Sequence, residues 1–530
     1  MIRTTIAMPI AVVAIAWISF GQPAVSQDET DQRLGTVHFA TSCNETAQRR
    51  FDRAMRYQHS FWYKASKEIF EDVLKADPQC AIAYWGIALG LLDNPHNPTP
   101  GPNLPLGRAA IQAAQGMGAK TQRERDYIDA MALLYADYEK TTYAQRVQSY
   151  LKAMAALAAR YPDDDEAQIF YAITLNVAAS PADKTYANQL KGAAILEPIF
   201  KRQPRHPGIA HYLIHLYDYP ALAERGLDAA RRYAQIAPAA PHALHMPSHI
   251  FTRVGYWNES ISSNVASVRA AKAEKAIGDQ LHAEDYLVYA YLQIDQDNNA
   301  RAVIEDMATA NFSSDSFPSL FALAASPARY VVERGDWKGA AELQVRPSKF
   351  PHVMAMTYFA RALGFARGGN PAAAAADIAK LAELRDKLRQ LGDAYWSQQV
   401  DIQWQIATAW MLYAEAKYDE ALTAMRAAAD AEGKTEKHPV TPGALTPARE
   451  LLGDMLLDRG MTVESLAAFE ATMKKEPNRF NDIAGAARAA DRLGDKAKAK
   501  EYYQKLTTIA SNPDFDRPDL AAARKFLATN

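Results

Sequence analysis

The sequence predicts an all-helical chain built as a repeat solenoid, and three observations carry that reading. Small residues recur at a fixed 34-residue interval, tight turns recur between apolar helical stripes, and no linker divides the 530 residues into separate units. The clearest unit reads Leu452, Gly453, Leu456, Gly460, Ser465, Phe469 and Pro477. Ala487, Gly494 and Ala499 follow Gly453, Gly460 and Ser465 by 34 residues each. Near the other end, Tyr84, Ile87, Ala88 and Leu91 open a helix of the same type, after Tyr63, Phe70 and Asp77-Pro78. Turns at Gly255-Tyr256-Trp257, Gly335-Asp336-Trp337, Gly369-Asn370-Pro371 and Lys417-Tyr418-Asp419 keep the rhythm between them. A lone helix pair cannot cover its apolar stripe, whereas stacked pairs bury it between neighbours.

This spacing of large, Leu-Gly, large, Gly, small, aromatic and Pro resembles the tetratricopeptide repeat (TPR) superfamily over nearly the whole mature chain. The resemblance implies a right-handed superhelix of about twelve helix pairs, its concave surface lined by the first helix of each pair. It also implies a scaffold that binds a protein, a peptide or a small molecule in that groove. The organisation expected is a lead-in at 27–46, the solenoid at 47–432 with its histidine-rich repeats at 206–285, a hinge at 433–445 and further repeats at 446–530. Asp93 to Gly107 carries five prolines and reads as a long loop.

Residues 1–26 read as a signal peptide: Arg3, an apolar run from Ile6 to Phe20, then Ala24 and Ser26 at a cleavage site. That run is too short to span a bilayer, and no other stretch is long and apolar enough. The expected location is the periplasm or the exterior. With 59 basic and 61 acidic residues the net charge is -2 and neither sign forms a block, which argues against nucleic acid as a partner. Cys43 and Cys80 are the only cysteines, and in an oxidising compartment they read as a disulfide, with two metal-binding thiols as the alternative.

Chemistry is signalled by histidine. Seven of the twelve lie between His206 and His282. His211 and His215 sit four apart, as do His245 and His249, and 34 residues separate the two pairs. Positions four apart share a helix face, and one repeat of offset puts the pairs at equivalent places on adjacent first helices. His242 joins that face, and after a six-residue insertion His282 and Asp285 take the places of His242 and His245. His211, His215, His245, His249, His282 and Asp285 are therefore candidate ligands of a shared zinc, copper or iron ion. His206, His242, Glu450 and Asp454 are candidates for lining a ligand groove without metal. Pro247 marks either a kink or the true start of its helix.

Two functions follow as expectations. One is an exported binding scaffold whose groove is organised by a metal. The other is a metal-dependent enzyme, hydrolytic or oxidative, with Glu284 or Asp285 as general base beside a metal-bound water. The chain has no His-Glu-x-x-His, no Gly-x-Ser-x-Gly, no phosphate loop and no dinucleotide fingerprint, so no nucleotide cofactor is expected. His38, His59, His96, His352 and His438 belong to no repeat spacing and are set aside.

Overall fold

A computed structural model of the chain describes residues 33–96, 103–310 and 316–529, and the proposed signal peptide lies outside them. Among the described residues there are helices and no strands. In order they are α1 (Glu45–His59), α2 (Tyr63–Ala76), α3 (Ile82–Leu92), α4 (Asn103–Met117), α5 (Gln122–Tyr135), α6 (Tyr143–Arg160), α7 (Asp165–Val177), α8 (Ala187–Arg202) and α9 (Pro207–Tyr217). There follow α10 (Leu227–Ile236), α11 (Pro241–His245), α12 (Pro247–Val254), α13 (Trp257–Glu274), α14 (Ile277–Gln293), α15 (Asp297–Thr309), α16 (Phe317–Glu333), α17 (Trp337–Glu342) and α18 (Pro351–Arg367). The last are α19 (Pro371–Gln390), α20 (Ala394–Ala414), α21 (Tyr418–Gly433), α22 (Ala448–Asp458), α23 (Thr462–Lys475), α24 (Phe480–Arg492), α25 (Lys496–Ile509) and α26 (Pro518–Thr529).

The small residues of the repeat have a steric cause. In α22, a Cβ on Gly453 would stand 2.8 Å from the Phe469 ring of α23, so only glycine lets the two helices approach. Ser465 then donates its hydroxyl to the Gly453 carbonyl at 2.8 Å. Gly460 makes the turn between them at φ +74°, where a side chain would be strained. Helix starts are fixed locally too: Thr121 and Thr142 close capping boxes with Glu124 and Gln145.

Helices pack on their sequence neighbours, and first helices also pack on the first helix of the next pair, as α14 does on α16, α16 on α18 and α18 on α20. That second set of contacts makes the chain a superhelix of TPR-like pairs. It curls tightly enough for α1 to meet α9 and for α14 to meet α24. Where the curl is closed, burial is complete: every residue of α9 is buried.

Three expectations are corrected or sharpened. Pro105 and Gly107 lie inside α4, because proline is tolerated in a first turn whose N–H groups have no intrahelical partner. The stretch read as a hinge is a strap across the inside of the superhelix. Its Lys437 reaches Asp218, its Glu436 takes Lys184 and Tyr186, its Thr441 carbonyl receives Tyr286, and its Ala444 carbonyl receives Arg329. Pro247 is the first residue of α12, while Met246 before it keeps helical dihedrals, so α11 and α12 run on as one nearly continuous first helix. At the N-terminus Cys43 and Cys80 form a disulfide that ties the lead-in to the start of α3.

Candidate functional site

Two groups of three histidines lie side by side on the inner helices. His211 and His215 of α9 meet His242 of α11, and His245 of α11 and His249 of α12 meet His282 of α14. Within each group one ring nitrogen per residue lies within 4.8 Å of the others. The structure thus divides the histidines differently from a single ion shared by His211, His215, His245 and His249. Each i, i+4 pair faces the next repeat, and the histidine three residues before that repeat's own pair supplies the third nitrogen.

The same rule explains where Asp285 goes. It is the α14 counterpart of His245, so it too faces forward, onto Ser326 at 3.1 Å and Arg329 at 3.7 Å of α16. It belongs to neither triad. Glu284 turns to Gln280 at 2.9 Å, and burial pushes its carboxyl up to about 8. Neither carboxylate is placed to act on a molecule at the triads. The groove candidates are also occupied: Glu450 is buried against Arg479 and Thr446, and Asp454 pairs with Arg488 and Arg367.

Hydrogen bonds fix which nitrogen of the key rings is bare. His245 Nδ1 lies 2.6 Å from Asn264 Oδ1, and the Asn264 amide nitrogen donates to the Ser260 carbonyl, so the oxygen faces the ring. His249 Nδ1 lies 2.9 Å from the Asp218 carboxylate, and His211 Nδ1 lies 2.8 Å from the His59 carbonyl. All three partners are acceptors, so each Nδ1 donates and each Nε2 of a neutral ring keeps its lone pair. Burial holds the rings neutral: it depresses His211 to about 3 and His245 well below the usual range. It depresses His249 as well, against the pull of Asp218.

The bare Nε2 atoms of His245 and His249 stand 3.0 Å apart. Two lone pairs at that separation repel unless a cation lies between them. In the first triad the bare Nε2 of His211 is 3.1 Å from Nε2 of both His215 and His242. Bonds of about 2.1 Å closing gaps of 3.0 to 3.1 Å enclose angles of about 90–95°.

The shell around the triads is largely aromatic. Phe61 stands 4.2 Å from His211 and 5.2 Å from His242, centroid to centroid, and Tyr286 packs at 4.8 Å on His245 and 5.0 Å on His249. Asp218, at the end of α9, is ionised: burial raises it, but Lys437 and Arg253 outweigh burial and hold it well below the carboxylate range. An open cleft lined by His96, His215, Asp218, Lys437 and His438 reaches the first triad.

A third cluster, His59 with Glu166 and His206, is built differently. Glu166 accepts from His59 Nε2 at 3.0 Å and from His206 Nε2 at 2.9 Å, and Tyr212 donates to His59 Nδ1. Burial raises Glu166, but His59 and His206 more than offset it and keep it charged. Here the nitrogens facing the carboxylate carry protons, so the cluster is a hydrogen-bonded clamp that holds the His59 carbonyl against His211. His206 is therefore a buried support and not a groove residue.

Spacing could not have found His59, Asp218 or Asn264, because they reach the triads through the curl of the superhelix or from a second helix. His96, also set aside, stacks on His215 at 4.4 Å. His352 lies flat on Trp396, 4.2 Å away and 5° from parallel, and His438 packs on the same indole at 5.3 Å. Burial depresses His352 to about 3, and burial together with His352 does the same to His438.

A pH dependence follows. The unfolded chain takes up protons below about 6.5 while these folded rings stay neutral to about 3. Their contribution is therefore intact above that upper value and is lost as pH falls toward the lower one. Replacing His352 with Phe is expected to flatten the fall of unfolding free energy between about pH 6 and 4 by about 1.4 kcal/mol per pH unit, read by denaturant titration.

No family model and no curated protein matches the chain. Among solved structures, the APC/C hetero-tetramer Cut9-Hcn1 aligns at 11% identity over 91% of this chain and 95% of that chain, with a TM-score of 0.30. A monomeric IFIT1 mutant with m7Gppp-AAAA aligns at 10% identity over 91% of this chain and 99% of that chain, with a TM-score of 0.37. The helix packing described above defines the fold.

Proposed function

We propose that the chain is an exported TPR-type scaffold whose two histidine triads would each hold a copper ion, beside a cleft that admits a small ligand. The observation that carries the metal is the pair of bare nitrogens of His245 and His249, 3.0 Å apart, each oriented by an acceptor on its far side. Outer partners of this kind commonly fix the tautomer of a metal-binding histidine.

Charge favours copper over zinc or iron. The triads are six imidazoles with no carboxylate ligand, and burial pushes all six below the usual histidine range. Asp218, the carboxylate bonded to His249, is already matched by Arg253 at 2.8 Å and Lys437 at 2.9 Å. Desolvation cost rises with the square of the charge, so adjacent univalent ions are tolerated where adjacent divalent ions are not. Imidazole suits copper, and copper is the candidate among the three with a stable univalent state. Export is supported by residues 1–26 and by the Cys43–Cys80 disulfide.

The cleft that reaches the first triad favours one further reading, an oxidative enzyme using the same ions. A hydrolytic one is disfavoured, since Glu284 and Asp285 point elsewhere and Asp218 is locked in ion pairs.

The test is elemental analysis of the mature protein after anaerobic loading with copper(I) and desalting, beside a variant with His211, His215, His245 and His249 changed to Ala. Two equivalents in the parent and none in the variant are expected. Zinc retained in preference to copper would remove the copper assignment, and no metal in either protein would sink the reading.

A further inference from the structure

A second cavity lies between α16, α18 and α20, under the strap, and uses none of the triad ligands. Its apolar wall includes Phe321, Met356, Phe359 and Trp396. Its polar wall includes Arg329, His352, Gln403 and Glu436, and each of these has buried side-chain atoms without a hydrogen-bond partner. They are Nε and Nη2 of Arg329, both ring nitrogens of His352, Oε1 of Gln403 and Oε2 of Glu436. A buried polar atom left unmade costs about 1–3 kcal/mol. Finding these in the wall of one cavity marks a place shaped for a polar molecule.

The charges say what kind. Arg253 and Lys437 are matched by Asp218, Glu436 is matched by Lys184, burial pushes Glu432 up to about 7, and Lys475 and Glu476 add one charge of each sign. Arg329 is 0% exposed, and His352 is 6% exposed. The Arg329 guanidinium is fixed in place by the Ala444 carbonyl at 2.6 Å and by stacking 4.9 Å from the Tyr289 centroid. Its charge is paired with buried Asp285 at 3.7 Å, a separation too long for a hydrogen bond, so Nε and Nη2 keep N–H groups without an acceptor. A pre-set guanidinium with free N–H groups is suited to a planar, bidentate oxyanion. Behind it, aromatic and thioether surfaces accept a flat apolar body. Neutral His352, also in the wall, adds one donor and one acceptor.

We propose that this cavity binds a small hydroxyaromatic acid, with its carboxylate on Arg329, its ring among Phe321, Met356, Phe359 and Trp396, and its hydroxyl at His352. This goes beyond the proposed function and does not depend on the metal. Tyr395, Trp396, Glu436 and Lys437 also line the cleft that reaches His215, so the bound molecule sits one wall away from the first triad.

The test is calorimetric titration of the metal-free mature protein with 4-hydroxybenzoate, using 4-hydroxybenzyl alcohol as the uncharged counterpart. One saturable site is expected for the acid, with the alcohol bound at least about 10-fold more weakly, the loss of one charge-assisted contact. His352→Phe keeps the stacking on Trp396 and is expected to weaken the acid about 5- to 10-fold. Met356→Trp fills the cavity and is expected to abolish binding, with near-UV circular dichroism reporting that both variants are folded. No saturable heat, equal affinity for acid and alcohol, or unchanged affinity in both variants overturns the assignment. Metal content measured on loaded aliquots of the same proteins reports on the triads separately.

Discussion

Changing His249 to Ala is expected to take the loaded chain from two bound metal ions to one, and changing His211 to Ala is expected to do the same from the other side. The expectation follows from the division of the histidines into separate triads, each closed by the repeat that follows it. Were the four histidines of the two i, i+4 pairs to share a single ion, either change would leave the protein nearly empty. The two arrangements therefore predict different stoichiometries for the same variant, and elemental analysis with copper(I)-loaded protein separates them. The loss at the altered triad should exceed the roughly 10- to 100-fold that removing an outer-shell partner costs, because a direct ligand is gone. The untouched triad should keep its affinity. Its own orienting contacts, Asn264 on His245 and the His59 carbonyl on His211, lie in different parts of the chain.

The double substitution, His211→Ala with His249→Ala, should empty both. If it retains one ion as firmly as either single variant does, the triads do not act as separate sites. A thermal melt gives a second readout. Each ion that binds only the folded chain stabilises it by about 4 kcal/mol when free metal is 1,000 times its dissociation constant, so the melting temperature should step down once per triad removed.

The sequence alone brought the triads within reach because a 34-residue register acts as a ruler along a superhelix. It set His211 over His245 and His215 over His249, and it picked out His242 and His282 as equivalents. It could not say that a pair looks forward to the next repeat. Asp285 shows the consequence: its register is that of a ligand, but its forward neighbour is Arg329. Whether a polar position becomes a metal site depends on what stands across the next helix-to-helix interface, and that depends on two residues some 30–40 positions apart acting together. The curl was hidden as well. His59 and Glu166 have no periodic signature, yet the meeting of α1 with α9 makes them the support of His211. The strap shows a third limit. Gly433 and Gly443 look like flexible punctuation, whereas the intervening Lys437 and Thr441 are held by Asp218 and Tyr286.

The same forward-facing logic predicts the largest structural effect, at Arg479. This residue precedes α24 and is 0% exposed. It donates to Glu450 of α22 at 3.0 Å, to the Tyr289 hydroxyl of α14 at 2.8 Å and to Glu333 of α16 at 2.7 Å, with Asp482 at 3.3 Å. One guanidinium thus joins four inner helices at the place where the superhelix returns on itself. Burial pushes Glu450 up to about 7 and Asp482 well above the usual carboxylate range, even with the arginine present. Arg479→Met would leave Glu333 and its neighbours buried with no counter-charge, and removing one partner of a buried ion pair costs roughly 3–5 kcal/mol. Arg479→Lys should recover only part of that, since a single ammonium cannot reach three partners in a fork. Denaturant unfolding should show the loss. Hydrogen exchange should place it first in α22 to α26, which lose their hold on α14 and α16. A change below about 1 kcal/mol in Arg479→Met would mean that the apolar contacts of α24 alone keep the ends of the superhelix together. Because α14 also carries His282, metal at the second triad should slow exchange in the Met variant, coupling the closure of the fold to the occupancy of the site.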